Sequence, residues 1–256
     1  MPSWNIHTAQ AERLLATLGP EALGVSDANA FLFGNYLPDV YVGYMVPNAA
    51  MRIDYRITHV ANGNLIPVPD LDRFWDDYYL DRSRHARLRG ADASLLLGAW
   101  AHLACDRCYN AGFRQFYRTR EMPKGDELRK RKQADFALFG LSLDIVAKVE
   151  LTPELVRAAR DFGPYAILEP DVERAIAAAS AIVDSNAAGP EPGAHYQLLS
   201  AAWMQDVFSS CDAFVRVWLV AAAQLTRAGA EVTAADVRAA ASLPAQEPDD
   251  LHWMDR

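Results

Sequence analysis

Cysteine is scarce in this 256-residue chain. Three residues, two of them in the run CDRC, are too few for a disulfide framework and suit a reducing compartment. Positive charge is the minority sign: 25 Lys and Arg against 33 Asp and Glu leave a formal net charge of -8. That balance argues against broad electrostatic attachment to nucleic acid, although a local basic groove stays open. Long apolar runs are missing as well. The most apolar late stretch, "AFVRVWLVAAAQL", is interrupted by Arg216 and falls short of the roughly 20 apolar residues that cross a bilayer, so it is expected to be a core helix. The opening "MPSWNIHTAQAERLLATLG" lacks the basic leader, apolar core and small-residue cleavage site of a secretory signal, which makes a cytoplasmic protein the default expectation. There is no low-complexity tract and no internal repeat.

About half of the residues are apolar, enough to bury one large core. Helical periodicity dominates. "HTAQAERLLATLG" predicts an amphipathic helix stopped by Gly19 and Pro20, and "DLDRFWDDYYLD" and "DASLLLGAWAHLACDRCYNAGFRQFY" continue the period. Later, "LTPELVRAARDFG" offers Thr152 as N-cap and Pro153 at the first helical position. "PDVERAIAAASAIVDSNAAG", residues 194–228 and "VTAADVRAAASL" complete the series. Between the first helices, "FLFGNYLPDVYVGYMVPNAAMRID" and "THVANGNLIPVPD" carry Gly, Pro and Asn punctuation that predicts long ordered loops. The expectation is a mainly α, multi-helix single domain over residues 1–256, with residues 151–256 serving as a helical packing region. "GPEPG" at 189–193 is the clearest break in the pattern.

Chemistry concentrates in "LGAWAHLACDRCYN", residues 97–110. His102 and Asp106 are four residues apart, so on a helix they share one face and can converge on one cation. Imidazole with carboxylate suits zinc or a similar divalent ion, but the same spacing also serves core or surface pairing. Cys105 and Cys108 form a CxxC without the βαβ context of thioredoxin-like chemistry, so two reduced, semi-buried thiols are expected, with zinc thiolate a lesser option. His7 and His59 each have an ordinary reading as first-turn and loop residues, and Asp39 after Pro38 can make an Asx turn.

Taken in order, a near-terminal WxxH (Trp4, His7), a GxxxPD (Gly34 to Asp39), a TH (Thr58, His59) and the HxxxD of His102 and Asp106 resemble the motifs of zinc-dependent phospholipase C proteins, whose helical fold is shared with single-strand-specific fungal nucleases. The motifs lie within residues 1–135, and the rest of the chain adds helical character only. The resemblance implies that Asp39, His59, His102 and Asp106 hold one zinc. It implies too that Asp106 bridges to a second metal shared by His7, and that Asp39 orients or deprotonates a metal-bound water. A bridging carboxylate can keep two cations about 3.5 to 4 Å apart, close enough to clamp a phosphate.

The chain also departs from the family. Trp4 lies behind "MPS", so the family's terminal-amine ligand is not expected, and Trp4 is read as packing. No HxxxE follows downstream, where only His195 and His252 remain, so a third metal is not expected; Asn110 and Asp135 are the candidates to replace missing ligands. The basic run "RTREMPKGDELRKRK" is interspersed with Glu121, Asp126 and Glu127 and reads as a solvated face, and His85 reads as solvent-exposed rather than as an aid to a leaving group. The function implied is zinc-dependent phosphoester hydrolysis by a zinc-bound hydroxide, acting on a phospholipid or a soluble phosphoester, with no specific nucleic acid partner evident. The alternative is a noncatalytic, metal-stabilised binding protein on the same scaffold.

Overall fold

The computed structural model describes residues 2–62, 66–80, 89–229 and 232–246, and apart from one isolated antiparallel bridge between Ala61 and Pro69 their regular structure is helical. The mainly α expectation holds. The elements are α1 (Trp4–Leu18), α2 (Ala28–Gly34), α3 (Leu37–Val40), α4 (Tyr55–Thr58), α5 (Leu71–Phe74) running into a π-helical turn (Trp75–Tyr79), α6 (Ala91–Arg118), α7 (Gly125–Leu141), α8 (Pro153–Arg160), α9 (Glu169–Asn186), α10 (Ala201–Arg227) and α11 (Ala234–Ala240). The cap read from the sequence acts as such, the Thr152 hydroxyl accepting from the Leu155 N–H at 3.1 Å, and the structure adds a reciprocal capping box between Thr233 and Asp236.

One expectation needs correction. The stretches read as long loops, residues 31–54 and 58–70, hold most of α2 and all of α3, with α4 filling the gap between them, and these three short helices carry or flank the site. Their starts are chemically marked: Asp27 accepts from the Ala30 N–H at 2.9 Å, Pro38 sits in the first turn of α3, and Asp54 accepts from the Arg56 N–H at 2.9 Å. Four to seven residues are too few for a 3.6-residue period to show, so Gly and Pro punctuation dominated the pattern.

The core is one contiguous apolar cluster reaching from α1 to α11. α6 is its axis, packing on α2, α8, α10 and α1. Trp75, Trp100 and Trp218 meet at its centre, with ring centroids 4.9 to 5.8 Å apart. "AFVRVWLVAAAQL" lies in α10, where Val215, Trp218, Leu219 and Ala222 are buried and Arg216 is not, as a core helix requires. Among the described residues, no helix is long and apolar enough to cross a membrane.

Two glycines set the geometry that matters most. α2 crosses α6 so closely that a Cβ on Gly34 would sit 2.3 Å from the Leu95 carbonyl oxygen, and one on Gly98 would sit 2.1 Å from that of Phe31. Only hydrogen at both positions permits this approach. It brings the carbonyl of Asn35, the residue after Gly34, onto His102, one turn after Gly98.

Candidate metal centre

The first two turns of α1 are buried on every side, which forces each polar residue there to find a partner. The Asn5 amide donates to Asn186 Oδ1 at 3.0 Å, the Thr8 hydroxyl to the Trp4 carbonyl at 2.7 Å, and the Gln10 amide to Asp212 Oδ1 at 3.1 Å. His7 is different. Neither of its ring nitrogens has a hydrogen-bond partner, and its ring stacks on that of His102 with centroids 3.9 Å apart.

Around it stand the other four residues of the predicted set, and all five are at most 1 % exposed. Nε2 of His7 is 3.6 Å from Asp106 Oδ1, while Nε2 of His59 is 3.4 Å from Asp106 Oδ2, 3.6 Å from Asp39 Oδ1 and 3.2 Å from Nε2 of His102. Five residues from α1, α3, the end of α4 and α6 thus share one enclosed space. They form two overlapping groups whose ligand atoms lie within 4.8 Å of one another: His7, Asp39 and His102, and His59, His102 and Asp106. Either group can hold a metal ion. His102 is common to both, whereas the resemblance gave the shared role to Asp106; Asp106 nonetheless turns one oxygen toward His7 and the other toward His59.

The surroundings explain why each motif has the residues it has. The Trp4 indole donates to Asp39 Oδ2 at 3.1 Å, tying WxxH to GxxxPD; Trp4 therefore packs, as expected, but also orients a carboxylate. Gly34 of GxxxPD permits the crossing with α6. Thr58 of the TH pair lies 2.8 Å from Nδ1 of His59 and donates its own hydroxyl proton to the Tyr55 carbonyl at 3.2 Å. His102 Nδ1 donates to the Asn35 carbonyl at 2.8 Å. These partners assign the tautomers: both Nδ1 atoms carry protons, and the two Nε2 lone pairs point at each other. A shared proton or a cation must fill that gap.

Electrostatics points the same way. Burial, reinforced by the Asp106 charge, pushes the Asp39 carboxyl from its ordinary 3.8 up to about 7. Burial acts to raise Asp106 too, but the His7 contact and the charge that His102, His59 and His7 carry when protonated overcome it and hold the group below the usual carboxylate range. Burial lowers His59 from 6.5 to about 4 and His102 well below its ordinary value, so both imidazoles are neutral at pH 7 and free to ligate. One oxygen of Asp39 and one of Asp106 remain buried without a hydrogen bond. Lone pairs without donors, at the focus of two carboxyl groups and three imidazoles, fit a divalent cation.

Other expectations fall elsewhere. Asp135 accepts from the backbone N–H groups of Gln197, Leu198 and Leu199 at 2.7 to 2.8 Å, so it fixes the approach to α10 and is not a spare ligand. Asn110 continues the His102 and Asp106 face, but its amide donates to the Pro67 carbonyl at 2.8 Å and pins a loop instead. His195 is exposed. His85 and His252 lie outside the described residues. Cys105 and Cys108 are free thiols on the continuous α6, as expected, and both contact Cys211 of α10. In the basic run, Arg129 and Arg131 pair with Asp126 and Glu127 on a solvated face, while Lys132 turns inward over the Phe113 and Phe136 rings.

Sequence reasoning missed Tyr55. Its hydroxyl donates to Asp106 Oδ2 at 2.7 Å and its ring stacks on His59 with centroids 3.7 Å apart. Burial, and then the adjacent Asp106 charge, keep the phenol protonated by raising it far above its ordinary value. Position four residues before His59 was the available signal.

Comparison with protein-family models, with curated proteins and with solved structures finds no match. The likeness to zinc-dependent phospholipase C rests on the quoted motifs alone.

Proposed function

We propose that this protein is a zinc-dependent phosphoester hydrolase resembling phospholipase C. The observation that carries the reading is the set of unpaired buried atoms, both nitrogens of His7 and one oxygen each of Asp39 and Asp106, gathered around the facing Nε2 atoms of His59 and His102. Unsatisfied buried atoms that converge on one enclosed point, rather than being scattered singly, are what a bound ion would compensate. His7, Asp39, His59, His102 and Asp106 would hold one or two zinc ions. When bound, such ions supply Lewis acidity, neutralise phosphate charge and acidify water.

The protein's own groups provide the rest. Asp39 is held by the Trp4 indole at Oδ2, which leaves Oδ1 directed at the cluster as the candidate proton acceptor. The substrate class in this reading is a phosphodiester or phosphomonoester, either a lipid head group or a soluble compound.

A second reading has an observation of its own. Ligands that are at most 1 % exposed suit an ion that stabilises the fold of a noncatalytic binding protein. One experiment separates the two: elemental analysis of protein purified without added metal, then hydrolysis of a phosphodiester and phosphomonoester panel before chelation, after it and after zinc is restored. Zinc-restored turnover that Asp106→Asn abolishes supports the hydrolase. Bound metal without turnover across the panel supports the noncatalytic protein, and turnover that survives both metal removal and Asp106→Asn sinks both.

A further inference from the structure

Tyr55 belongs to none of the motifs, yet it touches the cluster twice, through its hydroxyl on Asp106 and its ring on His59. We infer that Tyr55 is a positioning residue of the metal centre, whose hydrogen bond to Asp106 divides the two carboxylate oxygens between two unequal ion positions. The inference rests on the metal-binding part of the reading above.

A carboxylate is symmetric about its Cβ–Cγ axis, so nothing in Asp106 itself distinguishes one oxygen from the other. The neighbours do. Oδ1 faces His7 Nε2 at 3.6 Å and has no hydrogen bond, whereas Oδ2 faces His59 Nε2 at 3.4 Å and accepts from Tyr55 at 2.7 Å. An ionised carboxylate oxygen has lone-pair capacity for a donor and a cation together, so Oδ2 can keep Tyr55 while ligating beside His59. Rotating the carboxylate would break that bond.

The phenol is also held in place rather than free to follow Asp106. Tyr55 starts α4, and its carbonyl receives the His59 N–H at 2.9 Å and the Thr58 hydroxyl at 3.2 Å. Asp54, just before it, is tied to Arg56 through backbone and guanidinium at 2.9 Å. Ligand and positioning group therefore ride on one short helix, and the position bounded by His59, His102 and Asp106 is oriented by Tyr55. The position bounded by His7, Asp39 and His102 receives no bond from Tyr55; its outer donor is the Trp4 indole on Asp39 Oδ2 at 3.1 Å. Outer-shell donors of this kind change metal affinity by about 10- to 100-fold when removed.

The test is a cobalt(II) titration of metal-free wild-type, Tyr55→Phe and His7→Ala protein, following the visible d–d absorption and the number of equivalents bound, with the melting temperature of each metal-free protein as a control. Expected are two phases in the wild type, of which Tyr55→Phe weakens one by about 10- to 100-fold and leaves the other unchanged. His7→Ala should delete the phase that Tyr55→Phe spares, and metal-free Tyr55→Phe should stay folded with a melting temperature lowered only as the loss of one buried hydrogen bond requires. Equal weakening of both phases, a wild-type curve with one phase, or Tyr55→Phe identical to the wild type each overturns this role for Tyr55 while leaving metal binding intact. A wild type that takes up no cobalt overturns the metal reading and this one with it.

Discussion

Nε2 of His59 lies 3.2 Å from Nε2 of His102, and each ring has its Nδ1 occupied by a neighbour, Thr58 in one case and the Asn35 carbonyl in the other. Two imidazoles are thereby locked with their lone pairs converging. His102 is counted in both three-residue groups, but its Nδ1 donates to the Asn35 carbonyl, so its one free Nε2 lone pair serves one ion at a time and its loss takes a ligand from either arrangement.

Loss of ligands should therefore be graded. His102→Ala should abolish retained zinc altogether, whereas His7→Ala should remove one of two equivalents, as read by elemental analysis after dialysis. Zinc at a thousandfold excess over its Kd should raise wild-type stability by about 4 kcal/mol, and His102→Ala should show no such gain on zinc addition. A zinc-dependent rise in melting temperature that persists in His102→Ala would locate the ion elsewhere.

The raised Asp39 sets a pH dependence whose sign can be worked out. Its folded value of about 7 exceeds the ordinary 3.8, so its contribution to the stability of the metal-free protein is full below about 4 and lost as pH rises through about 7. Asp39→Asn, which mimics the protonated form, should gain stability relative to wild type across that window. Matched thermal melts of the two metal-free proteins measure it. A stability difference that stays flat from acid to neutral pH would mean that Asp39 is not perturbed.

Gly98→Ala should drive α2 from α6, because the added Cβ meets the Phe31 carbonyl oxygen at 2.1 Å. Overpacking of this kind costs about 1 to 3 kcal/mol, read by denaturant unfolding. Since the Asn35 carbonyl moves with α2, zinc affinity should fall as well. Unchanged stability and zinc binding would show that the crossing does not position His102.

Val60 follows His59 in a left-handed conformation, φ 47°, which is costly for a β-branched residue. It occupies the position after a helix end where glycine is usual: the Ala61 N–H reaches the Arg56 carbonyl at 2.9 Å and the Val60 N–H reaches that of Ile57 at 3.3 Å. Val60→Gly should stabilise the metal-free protein by about 1 kcal/mol, the scale of the left-handed penalty. Differential scanning calorimetry reads this directly, and a drop in melting temperature would mean that lost Val60 packing outweighs the relieved strain.

The helical character, the cap at Thr152 and the pairing of His102 with Asp106 were legible in the chain because periodicity, capping chemistry and the His-to-Asp spacing are local properties, whereas His7, Asp39 and His59 entered only through the order of motifs that the resemblance supplied. Asn110 and Asp135 could not be assigned that way: whether a buried amide or carboxylate meets an ion or a backbone N–H depends on what packs against it, here the Pro67 carbonyl and the segment before α10. The same holds for α2, α3 and α4, too short to announce a period, and for Tyr55, whose partner is 51 residues away. Sequence alone determined which groups could ligate and that helices would carry them. Tertiary structure decided which lone pairs were left unpaired, because only the crossing at Gly34 and Gly98 and the burial of α1 bring distant side chains close enough to compete for donors.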